Sequence, residues 1–489
     1  MRRAGVKNAG GVVKNPGHMT TTVYDDVRYS NFPYAQTHPE RLATVAILHG
    51  LPAPDPFRAR VLEVGCGAGG NLMAMTAATP GIRALGVDLA ASAIEEGNAA
   101  IAAIGLTNLE LRQGDVRALT QGQLGEFDYI VAHGVYAWIP PDARDALLGL
   151  IASHLSPDGL AYVSYNANPG GYLRRMLRDA GLWHARGLED PLEIAAKAQE
   201  LYRFMRTNRA NEGDMYGQMI ERLVPALAGG PLYRLVHDDL SEFWEPVWFA
   251  DFAAHASGHG LGFVGEADLS GLRSEQMPAE LEPDVWKLAG GDRIAFEQYS
   301  DLLMPRVFRQ SVLCRAGREI AVEPAAEQAE RLYWAARPNP EPLDGLAGDA
   351  VALLDRVRPH ALGIEALRSE LGDGDLGEAL LDGFRRERLI PHAGPLHVAT
   401  EPGERPEVSR LARWQAAQGP ELTSLVYQTV MMEEAAAREL IGLLDGTRDR
   451  AAIRADLRER TGLELSEEDL ETNLVALTRL FLVVPHDNT

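Results

Sequence analysis

ARVLEVGCGAGGN, residues 59–71, is the segment from which the rest of the chain can be read. The apolar run Ala59–Val64 reads as a short buried strand. Gly65, Gly67, Gly69 and Gly70 follow at once, and then a helical run, Leu72–Ala78. Strand, glycine turn and helix form a unit that brings backbone flush against a ligand, where a side chain would hold it off. The loop alone leaves two ligands open. A dinucleotide pattern, G-x-G-x-x-G, needs glycine at position 70 and finds it. The acid Glu63, two residues before the first glycine, gives the rival pattern Glu-x-Gly-x-Gly-x-Gly.

The next features settle the choice for an adenosine-type ligand. Residues 83–87 read as a second strand ending in Asp88, 23 residues after Gly65. A carboxylate there can accept hydrogen bonds from both ribose hydroxyls. It can equally cap the helix opened by Ser92 and Glu95–Glu96, and the two roles are compatible. Leu109–Arg112 makes a third strand, and Gly114-Asp115 after it suits an adenine amino group. A fourth strand begins at Phe127 and runs toward His133-Gly134-Val135-Tyr136. A helix over Ala143–Leu155 leads through the turn Leu155–Gly159 to a fifth strand, Leu160–Ser164. Five strands alternating with helices over about 110 residues require a parallel sheet covered on both faces.

In this order and spacing, the Glu63-x-Gly65-x-Gly67-x-Gly69 turn, Asp88, Gly114-Asp115, Phe127-Asp128 and the Leu-x-Pro-x-Gly turn resemble class I S-adenosylmethionine-dependent methyltransferases. The resemblance implies an α/β fold with a seven-stranded Rossmann-like sheet. Its last two strands are expected at Leu261–Val264 and Gln310–Cys314, the final one antiparallel. It implies S-adenosylmethionine as cofactor, S-adenosylhomocysteine as product, and no metal. Cofactor contacts are implied at Glu63, Gly65, Cys66, Gly67, Gly69, Asn71, Asp88, Leu89, Asp115, Val116, His133 and Gly134. Cys66 is expected to be a small packed residue, because no partner cysteine stands near it. An insertion of nearly 100 residues, helical by pattern over Pro191–Arg206 and Met215–Ala228, separates strands five and six.

A narrower resemblance covers most of the chain. Tyr24-Asp25-x-Val27 and Phe32-Pro33-Tyr34-x-Gln36-Thr37-His38-Pro39-x-Arg41 precede the loop. Ser164-Tyr165-Asn166-x-x-Pro169-Gly170 follows strand five, and His237–Leu240, Pro246–Phe249 and Phe308–Cys314 come later. Together these are similar to methyltransferases carrying a so-called regulatory domain. Among those they are similar to rickettsial protein-lysine methyltransferases, which modify an outer-membrane surface protein. The similarity is strong over residues 22–320. There is one departure: a Trp is expected after the Pro-Gly pair, and Gly171-Tyr172 stands there instead. The resemblance implies methyl transfer to an amine of a protein substrate, lysine foremost. Two alternatives fit the same residues: a small-molecule or peptide-tailoring N- or O-methyltransferase, and a non-catalytic S-adenosylmethionine-sensing protein.

Methyl transfer asks for positioning and dehydration more than acid–base machinery. Candidate acceptor-site residues therefore lie at the carboxyl ends of strands: His133, Tyr136 and Trp138 after strand four, Tyr165 and Asn166 at the end of strand five. Tyr136 and Trp138 would line a lysine channel or face an ammonium group; a core-facing aromatic is the plainer role for Trp138. His133 would orient cofactor, take a proton late, or be structural. Tyr34–His38 is too polar and short for a core element. It reads as a lid over the methionine end of the cofactor, with Tyr34 and His38 touching it. A plain helix start at Thr37 or His38, with Pro39 in the first turn, also fits. His237 and Trp244 would reach the acceptor site or pack.

The 489 residues are 46% hydrophobic and 24% charged, the balance of an ordinary globular protein. Lys and Arg number 47 against 69 Asp and Glu, a formal charge of −22 that disfavours nucleic acid as partner. Two cysteines, Cys66 and Cys314, fit the reducing cytoplasm. The longest uncharged stretch, Val64–Ile82, is too broken by glycine and proline to enter a membrane. Residues 1–18 are basic and Gly/Asn-rich, and are expected to be a disordered or added leader; Met19 is the start, or Gly17-His18-Met19 is a remnant. The cofactor domain with its lid is expected over 19–165, the helical insertion over 166–260, and the end of the sheet with a linker over 261–335. Over 345–489 a faint repeat, Leu353–Asp355 with Leu443–Asp445 and Ile390–His392 with Val484–His486, resembles tandem winged helices. The candidate recognition helix is acidic (Glu467, Glu468, Asp469, Glu471), so docking a protein substrate or forming a homodimer is the expected job.

Overall fold

The computed structural model describes residues 27, 32–119, 124–208, 213–269 and 278–485. The expected leader at 1–18, the Tyr24-Asp25 pair and His486 of the repeat lie outside them. Helix α1 (Pro39–Leu48) precedes strand β1 (Arg60–Val64), and α2 (Gly70–Ala78), β2 (Arg83–Asp88), α3 (Ala91–Ile104) and β3 (Leu109–Gln113) follow. Then come β4 (Phe127–Ala132), α4 (Pro141–His154) and β5 (Leu155–Asn166). After an insertion, β6 (Leu261–Glu266) and β7 (Phe308–Arg315) complete one sheet in the order β3-β2-β1-β4-β5-β7-β6. Strand β7 runs antiparallel to both its neighbours, and the other described pairings are parallel. Apolar side chains leave both faces, which is why two separate cores form. Val61, Leu111, Tyr129 and Tyr162 enter one with α1. Leu62, Ile130, Val163 and Tyr165 enter the other with α4.

The turn expected at Leu155–Gly159 is instead part of β5. Leu155 pairs with Phe127 and Leu160 with Tyr129, so the residues between them bulge against Asp128. The carboxylate of Asp128 fixes this offset by accepting from Ser156 Oγ at 3.3 Å and from the Arg60 backbone N–H at 2.9 Å.

The insertion holds α5 (Gly170–His184), α6 (Pro191–Thr207) and α7 (Met215–Gly229) around their own core of Leu177, Ala198, Tyr202, Ile220 and Val224. Asp190 and Asp214 cap α6 and α7 by accepting from Glu193 and Gly217 N–H groups. Helix α8 (Phe249–Gly258) then returns to the sheet, and α9 (Arg293–Leu303) covers its edge. Arg309 of β7 is fully buried and bonds Glu266 on β6 and Glu297 and Asp301 on α9.

Beyond residue 320 one plan occurs twice. β8 (Tyr333–Ala336) pairs antiparallel with β9 (Leu389–His392), and helices Gly345–Arg356, Ile364–Leu371 and Leu376–Arg385 lie between. Since β8 precedes residue 345, this unit begins earlier than the expected boundary. In the second copy Val408 bridges Val483 around helices Ala435–Leu443, Arg450–Thr461 and Glu467–Arg479. It adds a hairpin, β10 (Glu421–Thr423) with β11 (Thr429–Met431). Both copies grip α1: Glu40 accepts the Ala393 N–H at 2.7 Å, and Tyr427 from the hairpin turn stacks on His38.

Candidate active site

The glycine turn leaves β1 with three residues at positive φ, Gly65 at 76°, Gly67 at 55° and Gly69 at 77°. At Gly65 a Cβ would sit 2.5 Å from Val135 Cγ2, so any side chain collides with the loop after β4. At Gly67 a Cβ would meet nothing within 4 Å. The turn is thus pinned on one side and open on the other, which is the form a ligand cradle takes. Asp88 fixes it, accepting from Gly67 N at 2.8 Å and from Ala90 N at 2.9 Å, so it ties the cradle to the start of α3.

Beneath the turn lies Glu63, buried at the end of β1. Its Oε1 accepts from Asn71 Nδ2 at 2.9 Å, while Oε2 has no hydrogen-bond partner among the described residues. Burial, with Asp88 nearby, pushes this carboxyl up to about 8. A buried carboxyl with one idle oxygen fits a cationic group. Asn71 joins the cradle to the N-terminal segment: its Oδ1 accepts from the Tyr34 N–H at 2.9 Å and its Nδ2 donates to Thr37 Oγ1 at 2.9 Å. The Tyr34 ring lies against His133, centroids 4.0 Å apart. His133 Nδ1 is 3.0 Å from Tyr162 Oη and 3.2 Å from Ser164 Oγ, and Ser164 also accepts the Gly134 N–H at 2.8 Å. Burial lowers His133 to about 4, so the ring is neutral at ordinary pH.

Tyr34, Glu63, Asn71, Asp88, His133 and Gly134 therefore surround the glycine turn. Leu89 belongs to the same rim, its carbonyl accepting from Gln113 Nε2. The side chains of four other expected residues have partners of their own. His38 turns away: Nδ1 accepts the Glu40 N–H as helix cap and Nε2 meets Tyr427 at 2.6 Å. The Cys66 side chain points into the core beneath β2, so only its backbone lines the turn. The Asp115 carboxylate is occupied by Arg117 at 2.6 Å, and Val116 packs against the α4-side core.

Tyr136, Trp138 and Tyr165 do not join His133. Side chains of a strand alternate between faces, so Tyr165 points opposite to Tyr162. It bonds Ser311 and packs on Phe252. Tyr136 joins that core, its hydroxyl 2.7 Å from His255 Nδ1, and Trp138 donates to the Asp238 carbonyl at 3.0 Å. Asn166 is on the Tyr162 face, where Trp244 of the insertion donates to its Oδ1 at 3.1 Å. His237 bonds the Val27 carbonyl, a packing role. Tyr162, Ser164 and Phe308, whose ring centroid lies 6.2 Å from that of His133, also belong to the site and are not among the expected residues, while Thr37 joins it from within the expected lid; the two-residue alternation of β5 is the signal for Tyr162 and Ser164. The Gly171 departure has a steric reason, because a Cβ there would lie 2.4 Å from Pro246.

This fold and site define a class, the methyltransferase-type Rossmann domain extended by two further regions. Residues 61–159 match the family described as methyltransferase domain. Residues 232–315 match the predicted methyltransferase regulatory domain, and 404–469 match the PKMT C-terminal winged helix domain. The chain is thus a methyltransferase-domain protein with a regulatory domain and a C-terminal winged helix. Among individual proteins, it is 33% identical over 291 residues to the uncharacterized protein RP789 of Rickettsia prowazekii, covering 60% of this chain and 52% of that one. The match therefore spans about half the length of that relative. A trans-aconitate 2-methyltransferase of Deinococcus radiodurans is 30% identical over 144 residues, 29% of this chain and 52% of that one. PKMT2 from Rickettsia typhi superposes with a TM-score of 0.81 at 22% identity, over 93% of this chain and 100% of that one. Its complex with AdoHcy gives a TM-score of 0.79 at 22% identity, over 93% and 99%. At that identity the likeness establishes a shared fold.

Proposed function

We propose that this chain is an S-adenosylmethionine-dependent methyltransferase that methylates an amine of a protein substrate, lysine side chains foremost. The observation that carries the cofactor assignment is Glu63 Oε2, buried and idle beneath an open glycine turn. Asp88 would hold the ribose hydroxyls and Glu63 would face the ammonium of the methionine end. Bound S-adenosylmethionine supplies a methyl group already activated by its sulfonium. The chain's own part is to hold, orient and dehydrate. Tyr34, tied through its backbone to Asn71, covers the site and excludes water. His133, neutral and held by Tyr162 and Ser164, orients the groups beside it. The matched PKMT winged helix and the fold shared with PKMT2 of Rickettsia typhi support a protein acceptor. The charge of −22 favours approach of a basic, lysine-bearing partner.

The test is transfer of radiolabelled methyl from S-adenosylmethionine onto a whole-cell lysate by the purified chain. Label in protein bands, recovered as methyl-lysine, is expected. Label confined to small molecules would replace the acceptor assignment with a tailoring enzyme, and no label would leave a cofactor-binding protein without chemistry.

A further inference from the structure

Apart from the cofactor cradle, three side chains converge at the outer end of the α4–α8 packing. Asp145 comes from α4, His255 from the last turn of α8, and His259 from the residue that caps it. His255 Nε2 lies 3.3 Å from Asp145 Oδ1, and His259 Nε2 lies 2.9 Å from the same oxygen. One ligand atom from each of the three falls within 4.8 Å of the others. We propose that Asp145, His255 and His259 bind a divalent transition-metal ion, with Zn2+ as the reference ion.

The spacing suits that ion. With metal–ligand bonds of about 2.0–2.1 Å, ligand atoms at a tetrahedral centre stand roughly 3.3 Å apart. The two measured separations, 3.3 and 2.9 Å, lie at that edge length and a few tenths of an ångström below it, and the third pair lies within 4.8 Å, so rotations of the side chains bring the three atoms onto one ion. Histidines four residues apart share one helix face, which brings both rings to one side. Two imidazoles and one carboxylate select zinc, nickel or copper over magnesium or calcium, which prefer oxygen alone. The second observation is behind the ligands. The buried phenol of Tyr136 lies 2.7 Å from His255 Nδ1, and Arg144 sits over its ring at 5.4 Å. A metal-bound His255 carries its proton on Nδ1 and donates it to this oxygen, the outer support that metal-bound imidazoles characteristically have. Asp145 is exposed and both rings are partly exposed, so an ion can enter, and a fourth position faces solvent. Occupied, the site would tie α4 to α8 and, through Tyr136, to the loop carrying His133 and Gly134.

Zinc titration of the chelator-stripped full chain by calorimetry tests this. One Zn2+ per chain is expected, with affinity lowered at least about tenfold by Asp145→Asn and abolished by His255→Ala with His259→Ala. Substitution of Co2+ should give the visible absorption of a tetrahedral N/O site, absent in the double variant. Circular dichroism and S-adenosylmethionine binding report that the variants remain folded. No Zn2+ bound by the wild-type chain at about 100 μM, or binding unchanged by the double substitution, would overturn the proposal.

Discussion

Tyr427, in the turn of the second C-terminal unit, stacks on His38 with ring centroids 4.3 Å apart, and its Oη lies 2.6 Å from His38 Nε2. Burial lowers His38 to about 4, so the ring carries one proton at neutral pH. Nδ1 accepts from the Glu40 N–H, which puts that proton on Nε2, donating to Tyr427 Oη. The phenol's own hydrogen is then left for Thr79 Oγ1 at 3.3 Å, near the end of α2. One side chain of the C-terminal region thus links the segment that starts α1 to the helix that follows the glycine turn.

Tyr427→Phe removes these bonds and keeps the ring. Two hydrogen bonds at about 0.5–1.5 kcal/mol each put the cost at about 1–3 kcal/mol, read as a lower unfolding free energy and a reduced cofactor affinity. Hydrogen exchange should rise over residues 34–48 while β1 and β4 stay protected. An unaltered exchange pattern would separate the C-terminal region from the cofactor site.

Glu63 makes cofactor binding proton-coupled. With its carboxyl pushed up to about 8, the free site is mostly protonated at pH 7, and an ammonium placed against Oε2 favours the carboxylate. Binding at pH 7 should release up to about one proton, read as a dependence of the calorimetric heat on buffer ionisation enthalpy. Glu63→Gln should abolish the release and weaken binding by at least about tenfold.

The same group sets a sign for stability. Its folded value, about 8, exceeds the ordinary 4.5, so the native state holds more protons between those limits. Its contribution is full below 4.5 and is lost as pH rises through about 8. Thermal melts of Glu63→Gln should therefore be flatter than wild type from pH 5 to 8, and relatively more stable at the alkaline end.

Arg309, fully buried, pairs with Glu266, Glu297 and Asp301 at once. Arg309→Leu leaves those carboxylates short of their shared cation, with Arg306 still paired to Asp301. Removing one partner from a buried ion pair costs about 3–5 kcal/mol, so urea unfolding should show a loss of that order. A loss below about 1 kcal/mol would mean the acids relax into water.

Much of this was legible in the sequence, and the reasons are local. The glycine turn, Asp88 and the five strands announce themselves because backbone sign, loop length and apolar runs are short-range properties. Tyr136 and Tyr165 stand apart from the site because proximity to a strand's carboxyl end says nothing of the face a side chain leaves by; counting by twos along β5 puts Tyr165 on the face opposite Tyr162, with α4. Of the two roles open to His38, lid contact and helix start, the structure shows the helix start, and its other contact is beyond local reading. Its partner, Tyr427, is separated from it by 389 positions, and no local pattern carries that contact. Nor does the spacing of Asp145 and His255, 110 residues apart, suggest that they meet.

Everything proposed for the chain's chemistry depends on S-adenosylmethionine binding in the Glu63–Asp88 cradle. Calorimetric titration of the purified chain, with Asp88→Ala and the shape-preserving Asp88→Asn alongside, tests it directly. One S-adenosylmethionine per wild-type chain is predicted, weakened about 10–100-fold or more in both variants, because hydrogen bonds to a charged acceptor are worth about 1.5–3 kcal/mol each. Absence of binding to the wild-type chain at about 1 mM, or affinity untouched by either substitution, would contradict it.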